Sequence, residues 1–198
     1  KKVALIERNK AMYGGTCINI GCIPSKKLLV EAKRKPFDAN ESVYFQQAME
    51  RKNTLISALR AANYKKLNDL EGVRVINATA SFLNKNTVLL KNVDDEIEVT
   101  AQRIFINTGS TSVPLNVKGA DGKYVYNSTQ LLSLETLPKR LVIIGGGYIS
   151  LEFACMFQAF GSKVTVLEAS DTFLAREDRD IADEMLHILH ARGIEVIL

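Results

Sequence analysis

Two cysteines, Cys17 and Cys22, stand five positions apart in the run Gly14-Gly15-Thr16-Cys17-Ile18-Asn19-Ile20-Gly21-Cys22-Ile23-Pro24-Ser25-Lys26. Glycines precede and separate them, a proline follows, and the third cysteine, Cys155, is remote in sequence. Thiols framed in this way can hold a metal, cross-link the backbone or exchange electrons. A zinc site takes four ligands, its cysteines spaced by about two to four residues and matched by a second pair. Here His187 and His190 belong to a helical pattern near the end of the chain. A plant-type iron–sulfur run would need a further cysteine where Ser25 stands. Counting therefore leaves no metal site. A structural bridge over a four-residue loop would remove little chain entropy. The favoured reading is a redox-active dithiol, with a structural bridge or two inert thiols as the rival.

The second chemical motif is Gly145-Gly146-Gly147-Tyr148-Ile149-Ser150, flanked by an apolar strand pattern over 141–144 and a helical one over 148–160. That context is the one a dinucleotide fingerprint requires. Gly145 permits the tight turn. Gly147 lets the backbone approach a pyrophosphate at the helix amino end, where unsatisfied N–H groups favour anions. Ser150 stands where glycine or alanine is usual, which should loosen the packing of helix on strand slightly. Glu168 ends the next strand, over 164–168, and lies 23 residues beyond Gly145, near the usual offset of about 20 for the acid that accepts ribose hydroxyls. A carboxylate there repels a 2′-phosphate, so NADH is expected over NADPH. Arg176 or Arg179 could restore NADPH by pairing with that phosphate. The rival for Glu168 is an ordinary surface charge at a strand end.

These motifs need elements to hold them. Val3-Ala4-Leu5-Ile6-Glu7 reads as a buried strand ending in an acid, the second strand of a dinucleotide fold whose first strand and glycine turn would precede it. The chain is therefore read as an internal piece of a larger enzyme. Helices are expected over 25–35, stopping before Pro36, and over 41–70, with Val43, Ala48, Leu55, Ile56, Leu59, Ala62 and Leu67 as its apolar positions. Short runs over 73–76, 80–83, 87–90 and 96–99 read as a strand meander feeding a last strand over 103–106. That strand leads into the small-residue turn Asn107-Thr108-Gly109-Ser110. A connector over 109–139 carries a short helix over 128–134. A fresh α/β unit follows, with a further helix over 179–192, its apolar face Ile181, Met185, Ile188 and Leu189, and a closing strand over 193–198. The fold class is α/β, two Rossmann-like nucleotide-binding domains with a small antiparallel meander. Residues 1–138 form the first domain and 139–198 the second, each incomplete. The strand ending in Glu168 echoes the one ending in Glu7, as two copies of one architecture would.

The chain has 198 residues, 46% apolar and 24% charged, with a net charge of +4. That suits a globular chain able to bury one good core or two small ones. No apolar run reaches the about 18 residues that would suggest a membrane span. The basic residues are scattered, and the run Lys33-Arg34-Lys35 reads as a solvated helix end, so neither membrane nor nucleic acid is an expected partner. Three cysteines in a chain of this length do not make a secreted disulfide framework, and a cytoplasmic location is expected.

With these residues in place, the chain resembles the FAD-dependent pyridine-nucleotide disulfide oxidoreductases of class I, the group of glutathione reductase, dihydrolipoamide dehydrogenase and mercuric reductase. The match at 14–26 covers every position of that group's active-site pattern. Ala11-Met12-Tyr13, with Arg176-Glu177-Asp178-Arg179-Asp180-Ile181-Ala182-Asp183, looks most like the bacterial reactive-chlorine-resistance flavoproteins, linked to copper(II) or hypothiocyanite reduction and to oxidative stress. The resemblance implies FAD and NADH as cofactors, Cys17 as the thiol that meets the substrate and Cys22 as the thiol facing the flavin. Both are expected to gain thiolate stability at a helix start. It implies that Lys26 approaches the flavin paired with Glu152, the rival for Glu152 being a helix-surface charge. Tyr148 would gate the nicotinamide site, its rival role being to fill a core gap. Glu7 would take the FAD ribose, and Thr108 and Gly109 a second flavin contact. Ala80 would hold the adenine, with Gly15, Thr16 and Ile149 as further cofactor contacts. Cys155 matches no catalytic position and reads as an inert core thiol. The resemblance further implies a homodimer and a small-molecule electron acceptor, with no resident metal. Two rivals remain: a glutathione-, lipoamide- or mercury-type reductase, and a redox-inert nucleotide-binding module.

Overall fold

The computed structural model describes residues 1–93 and 95–198. The chain divides into two compact units, one of Lys1–Ile23 with Leu55–Val125, the other of Pro24–Thr54 with Tyr126–Leu198. Both divisions within the first 60 residues fall inside helices, since α2 (Cys22–Arg34) and α3 (Glu41–Asn68) each contribute to both units.

In the first unit, β1 (Val3–Glu7) and β2 (Val73–Asn77) pair in parallel, Val3 beside Val73 and Glu7 beside Asn77. The run over 73–76 was expected in the meander, but it belongs to this ladder instead. Nor is β1 a buried strand, since Val3 and Leu5 are exposed. The meander consists of β3 (Thr79–Asn84), β4 (Thr87–Lys91) and β5 (Glu96–Thr100), antiparallel in the order β3-β4-β5. Leu90 on the central strand is its buried residue. The expected strand over 103–106 is not formed. Phe105 and Ile106 are exposed, and among the described residues no strand pairs with this run. Alternation of apolar residues makes a strand only where a neighbour takes its N–H and C=O groups.

The second unit holds the apolar core. Strands β6 (Arg140–Ile144), β7 (Lys163–Leu167) and β8 (Glu195–Ile197) are parallel in that order, with α5 (Tyr148–Phe160) and α6 (Arg179–Ala191) as the intervening crossovers. This is the repeating β-α-β arrangement of a doubly wound sheet. Central strand β7 buries Val164 and Val166. Helix α5 starts after Gly147 and stops at Gly161, whose φ of +124° needs a residue without a Cβ. Between them Leu151, Phe153, Ala154, Met156, Phe157 and Phe160 are buried. The amino-terminal part of α3 packs on this helix through Phe45, edge-on to Phe160 at 5.1 Å and tilted 5.9 Å from Phe157. Burying each such ring stabilises the unit by about 2–3 kcal/mol. The buried stripe of α3 is thus Phe45, Ala48, Met49, Lys52 and Ile56, whereas Val43 and Ala62 are exposed. On α6, Ala182 and Leu189 are buried and Ile181 is exposed. The connector helix α4 (Ser128–Leu131) is shorter than expected, set by a capping box between Asn127 and Gln130.

Two buried charges sit in this unit. Lys52 donates from Nζ to the Leu132 carbonyl, and burial pushes its ammonium down to about 8. Glu31, 5% exposed, takes Arg51 Nη2 at 2.7 Å and Nε at 3.0 Å on one oxygen and Lys27 Nζ at 2.5 Å on the other. The Arg51 hydrogen bonds, with those of Lys27, hold the Glu31 carboxyl below the usual carboxylate range. A depressed carboxyl stabilises the fold above its unfolded pKa, and that stability is lost as pH falls through the folded value. Glu31→Gln is therefore expected to cost about 2 kcal/mol at neutral pH, the range of a charged hydrogen bond. Urea unfolding of the full-length protein should show the gap from wild type closing below about pH 4; a constant gap would contradict this account.

Candidate functional site

The dithiol is built on two short returns of the backbone. Asn9 caps the 3-10 turn Lys10–Met12 by accepting from the Ala11 N–H at 2.9 Å, and Glu7 Oε1 accepts from the Asn9 N–H at 2.9 Å. Helix α1 (Gly15–Asn19) then begins at Gly14, whose φ is +89°. A Cβ on Gly14 would lie 2.5 Å from Ile18 Cδ1, so both backbone angle and space require glycine. Gly21 lets α1 give way to α2, since a Cβ there would come within 3.1 Å of the Thr16 carbonyl oxygen. Cys17 thus lies within α1 and Cys22 at the first position of α2, both exposed. Their side chains hydrogen-bond, and that bond, with a small contribution from burial, raises the Cys17 thiol above its ordinary value. The helix-start effect expected to favour a Cys17 thiolate is outweighed by its partner thiol. Two thiols in contact on the surface can close into a disulfide by losing two electrons and two protons.

Two further residues near the dithiol were not anticipated. Asn19 is buried and donates both hydrogens of its amide, to the Tyr13 carbonyl at 3.0 Å and the Gly15 carbonyl at 2.8 Å. Arg60 Nε donates to Asn19 Oδ1 at 2.8 Å. The Tyr13 ring lies 4.7 Å from that of Tyr64, and its hydroxyl donates to Asn77 Oδ1 at 2.6 Å.

In the other unit, Lys26 and Glu152 meet as expected, Nζ to Oε1 at 3.1 Å. Glu152 is half-buried rather than buried, and Lys26 is largely exposed. The buried Ser25, one residue before Lys26, donates from Oγ to the same carboxylate oxygen at 3.1 Å.

The glycine turn follows β6. Gly145 has φ +96° and donates to the Leu167 carbonyl at 2.7 Å. Gly146 donates to Glu168 Oε2 at 2.6 Å, while Ser170 N–H reaches Oε1 at 3.0 Å. These backbone donors, Ser170 first, hold the Glu168 carboxyl below the usual carboxylate range. A Cβ on Gly146 would lie 3.0 Å from Glu168 Oε2 and 3.5 Å from the buried ring of Phe173. Gly146 therefore matters as much as its two neighbours, because the acid folds back onto it. Gly147 caps α5 without a side-chain hydrogen bond, and open space surrounds its Cα hydrogens. The turn fits a dinucleotide's pyrophosphate: backbone donors at a helix start, no side chain in the way, and a carboxylate at the strand end. Tyr148 is 82% exposed, so it fills no core gap. Ile149 is exposed beside it. Arg179 is committed elsewhere, its Nη2 donating to the Phe173 and Leu174 carbonyls at 2.9 and 2.8 Å. Arg176 is exposed.

The remaining expected contacts lie in the first unit. Ala80 lies on exposed strand β3 opposite Leu90, and Thr108 with Gly109 (φ +74°) occupies an exposed irregular stretch. Gly15 and Thr16 open helix α1. Cys155 is partly buried against the core of the second unit. Among the described residues no cluster of three or more histidine, cysteine or acidic side chains could hold a metal, and no helix is long and apolar enough to cross a membrane.

The family profile of the pyridine nucleotide-disulphide oxidoreductases matches residues 1–198. The chain belongs to that family. It is 46% identical to the probable pyridine nucleotide-disulfide oxidoreductase RclA of Escherichia coli over 198 residues, all of this chain and 43% of RclA. It is 35% identical to mercuric reductase of Bacillus cereus, covering 99% of this chain and 32% of the relative. It is 34% identical to dihydrolipoyl dehydrogenase of Bacillus subtilis, covering 99% and 45%. The solved structure of RclA, an HOCl-induced flavoprotein disulfide reductase, superposes with a TM-score of 0.91, and that of its Cu(II) complex with 0.92. Both cover all of this chain and 43% of the other. The chain thus spans less than half the length of these relatives.

The contact between the thiols makes a measurable demand on Cys17. In Cys22→Ala the Cys17 S–H loses the sulfur that accepts from it, so the Cys17 thiol should ionise at lower pH. Iodoacetamide alkylation of Cys17 should then reach half its limiting rate at a lower pH than in the reduced wild-type protein. An unchanged or higher midpoint would show that the Cys22 contact does not govern Cys17.

Proposed function

We propose that this chain forms the cofactor-facing part of a flavoprotein that passes electrons from NADH to an acceptor through a Cys17–Cys22 disulfide. The contact between the two exposed thiols carries this reading. Residues 1–138 are the FAD domain and 139–198 the NAD domain in this scheme. FAD, when bound, accepts hydride from the nicotinamide and hands two electrons on to sulfur. Glu7, Gly15, Thr16, Ala80, Thr108 and Gly109 would bind it. The turn of Gly145 and Gly147, with Ile149 and Glu168, would bind the coenzyme, and exposed Tyr148 would cover the nicotinamide site until the coenzyme enters. Lys26 supplies a positive charge, fixed by Glu152 and Ser25, toward the flavin.

The disulfide takes up two electrons and two protons to become two thiols. Cys17, after losing its proton, attacks an acceptor disulfide and releases one acceptor thiolate. Cys22 then displaces the second and re-forms the bridge. With copper(II) as acceptor, two ions would each take one electron while the dithiol closes with loss of two protons. The likeness to RclA, whose structure is also known as a Cu(II) complex, favours copper(II) as acceptor; hypothiocyanite as an alternative acceptor, a role in oxidative stress and a cytoplasmic homodimer are the remaining parts of the proposal. A glutathione-, lipoamide- or mercury-type acceptor is the second reading, carried by the identities to mercuric reductase and dihydrolipoyl dehydrogenase.

Anaerobic reduction of the full-length protein with one equivalent of NADH tests the reading. A yellow protein should develop long-wavelength charge-transfer absorbance, and Cys22→Ser should abolish that band. A colourless protein, or a band indifferent to Cys22→Ser, would refute the scheme and favour a redox-inert module. Coenzyme choice is tested separately. Glu168→Arg should raise the ratio of kcat/KM for NADPH over NADH about tenfold, equivalent to about 1.4 kcal/mol. An unchanged ratio would remove Glu168 from the ribose site.

A further inference from the structure

Arg60 lies 41 residues beyond Asn19, on the long helix α3, with no place in the redox scheme above. Its contact nevertheless reaches the backbone that carries Cys17. The Asn19 amide uses both donors on carbonyls that flank Gly14, those of Tyr13 and Gly15, and takes the Arg60 N–H on its oxygen. A flipped amide would set its N–H groups against the guanidinium and its oxygen against two carbonyls, so Arg60 selects the orientation that staples the loop. The staple matters because α1 has five residues and its amino cap, Gly14, supplies no side-chain hydrogen bond. A helix this short does not hold itself together. The same face of α3 meets the loop twice more. The Tyr64 ring packs on Tyr13, and Asn63 Cγ lies 3.4 Å from where a Cβ on Gly14 would stand.

We propose that Arg60 is a positioning residue for the dithiol, setting through Asn19 how closely Cys17 is held to Cys22 and hence how readily the pair closes. This rests on the Cys17–Cys22 pair being the redox centre. A looser loop lowers the effective concentration of one thiol at the other, and the disulfide becomes easier to reduce.

The test equilibrates the full-length protein anaerobically with glutathione buffers, so that the disulfide and two glutathiones exchange for the dithiol and one glutathione disulfide. The dithiol fraction is read by alkylation and mass spectrometry. Arg60→Met, which keeps much of the side-chain stem, should shift the equilibrium toward dithiol about tenfold, equivalent to about 30 mV. Arg60→Lys, retaining a donor and a charge, should shift it less. Asn19→Ala should match Arg60→Met, and the double variant should shift no further than Asn19→Ala alone. An Arg60→Met protein that melts lower but keeps the wild-type equilibrium would assign Arg60 a structural role only and overturn the proposal. Additive shifts in the double variant would overturn it too. Should Arg60→Met not fold, the non-additivity of Arg60→Lys with Asn19→Ala decides. A pair that never closes in any buffer would instead refute the redox scheme itself.

Discussion

Chemistry at the two cysteines depends on a backbone that turns back on itself within six residues, bringing the Cys17 side chain against that of Cys22. Burial of the sulfurs does not drive that return, because both cysteines are exposed. It is held by polar and steric terms: Gly14 in a left-handed conformation, Gly21 against the Thr16 carbonyl, and the Asn19 amide across the loop. A redox pair needs this arrangement. Burial would hinder both the acceptor and ionisation of the attacking sulfur, whereas a loose exposed loop would not hold two sulfurs at bonding range. Fixing an exposed loop by hydrogen bonds from a rigid helix resolves the conflict.

The glycine turn of the second unit solves a related problem with a different component. In this three-glycine turn the Leu167 carbonyl takes the Gly145 N–H, and Glu168 takes that of Gly146 from the end of the adjacent strand. The parallel ladder of β6 on β7, Ile144 beside Leu167, sets this distance, so strand register places the acid beside the turn. The backbone N–H groups of Ser170, Gly146 and Ala169 hold the carboxyl below the usual carboxylate range. A ribose hydroxyl arriving there would meet an acceptor already charged and oriented. Arg179 serves the same segment by holding the carbonyls of Phe173 and Leu174, the latter at φ +46°. A guanidinium spent on the loop backbone is withdrawn from any 2′-phosphate.

Legibility in the sequence followed the range of the interaction. Helix α5 was readable to its ends because Gly147 and Gly161 mark them locally. The meander strands were readable because asparagines and lysines punctuate their alternation. The run over 103–106 carried the same alternation and misled, since pairing depends on a neighbour that alternation does not report. Ser25, Lys52 and Arg60 escaped notice because their partners lie 127, 80 and 41 positions away. Polar residues within helices look alike until the fold supplies the carbonyl or carboxylate that each one meets. The long helix α3 shows the limit most clearly. Its mixed composition hid Phe45 and Met49 among charges and put Val43 and Ala62 on a face that is exposed.

The raised Cys17 thiol corrects the simplest view of a reactive cysteine and fits the proposed division of labour between the sulfurs. A helix start alone argues for a low thiol pKa, yet the hydrogen bond with Cys22 that the Cys17 S–H would lose on ionising argues the other way, and the Cys17 thiol is raised. A sulfur with a raised pKa is a stronger nucleophile once ionised and a poorer leaving group when the bridge is opened. The first property suits a thiol that attacks an external acceptor; the second slows the opening of the bridge from the Cys22 side. Opening of the bridge by electrons arriving on the other side would then leave Cys17 protonated and quiet until an acceptor or a base removes the proton. An exposed thiol held in that condition reacts more slowly with incidental oxidants than a standing thiolate would.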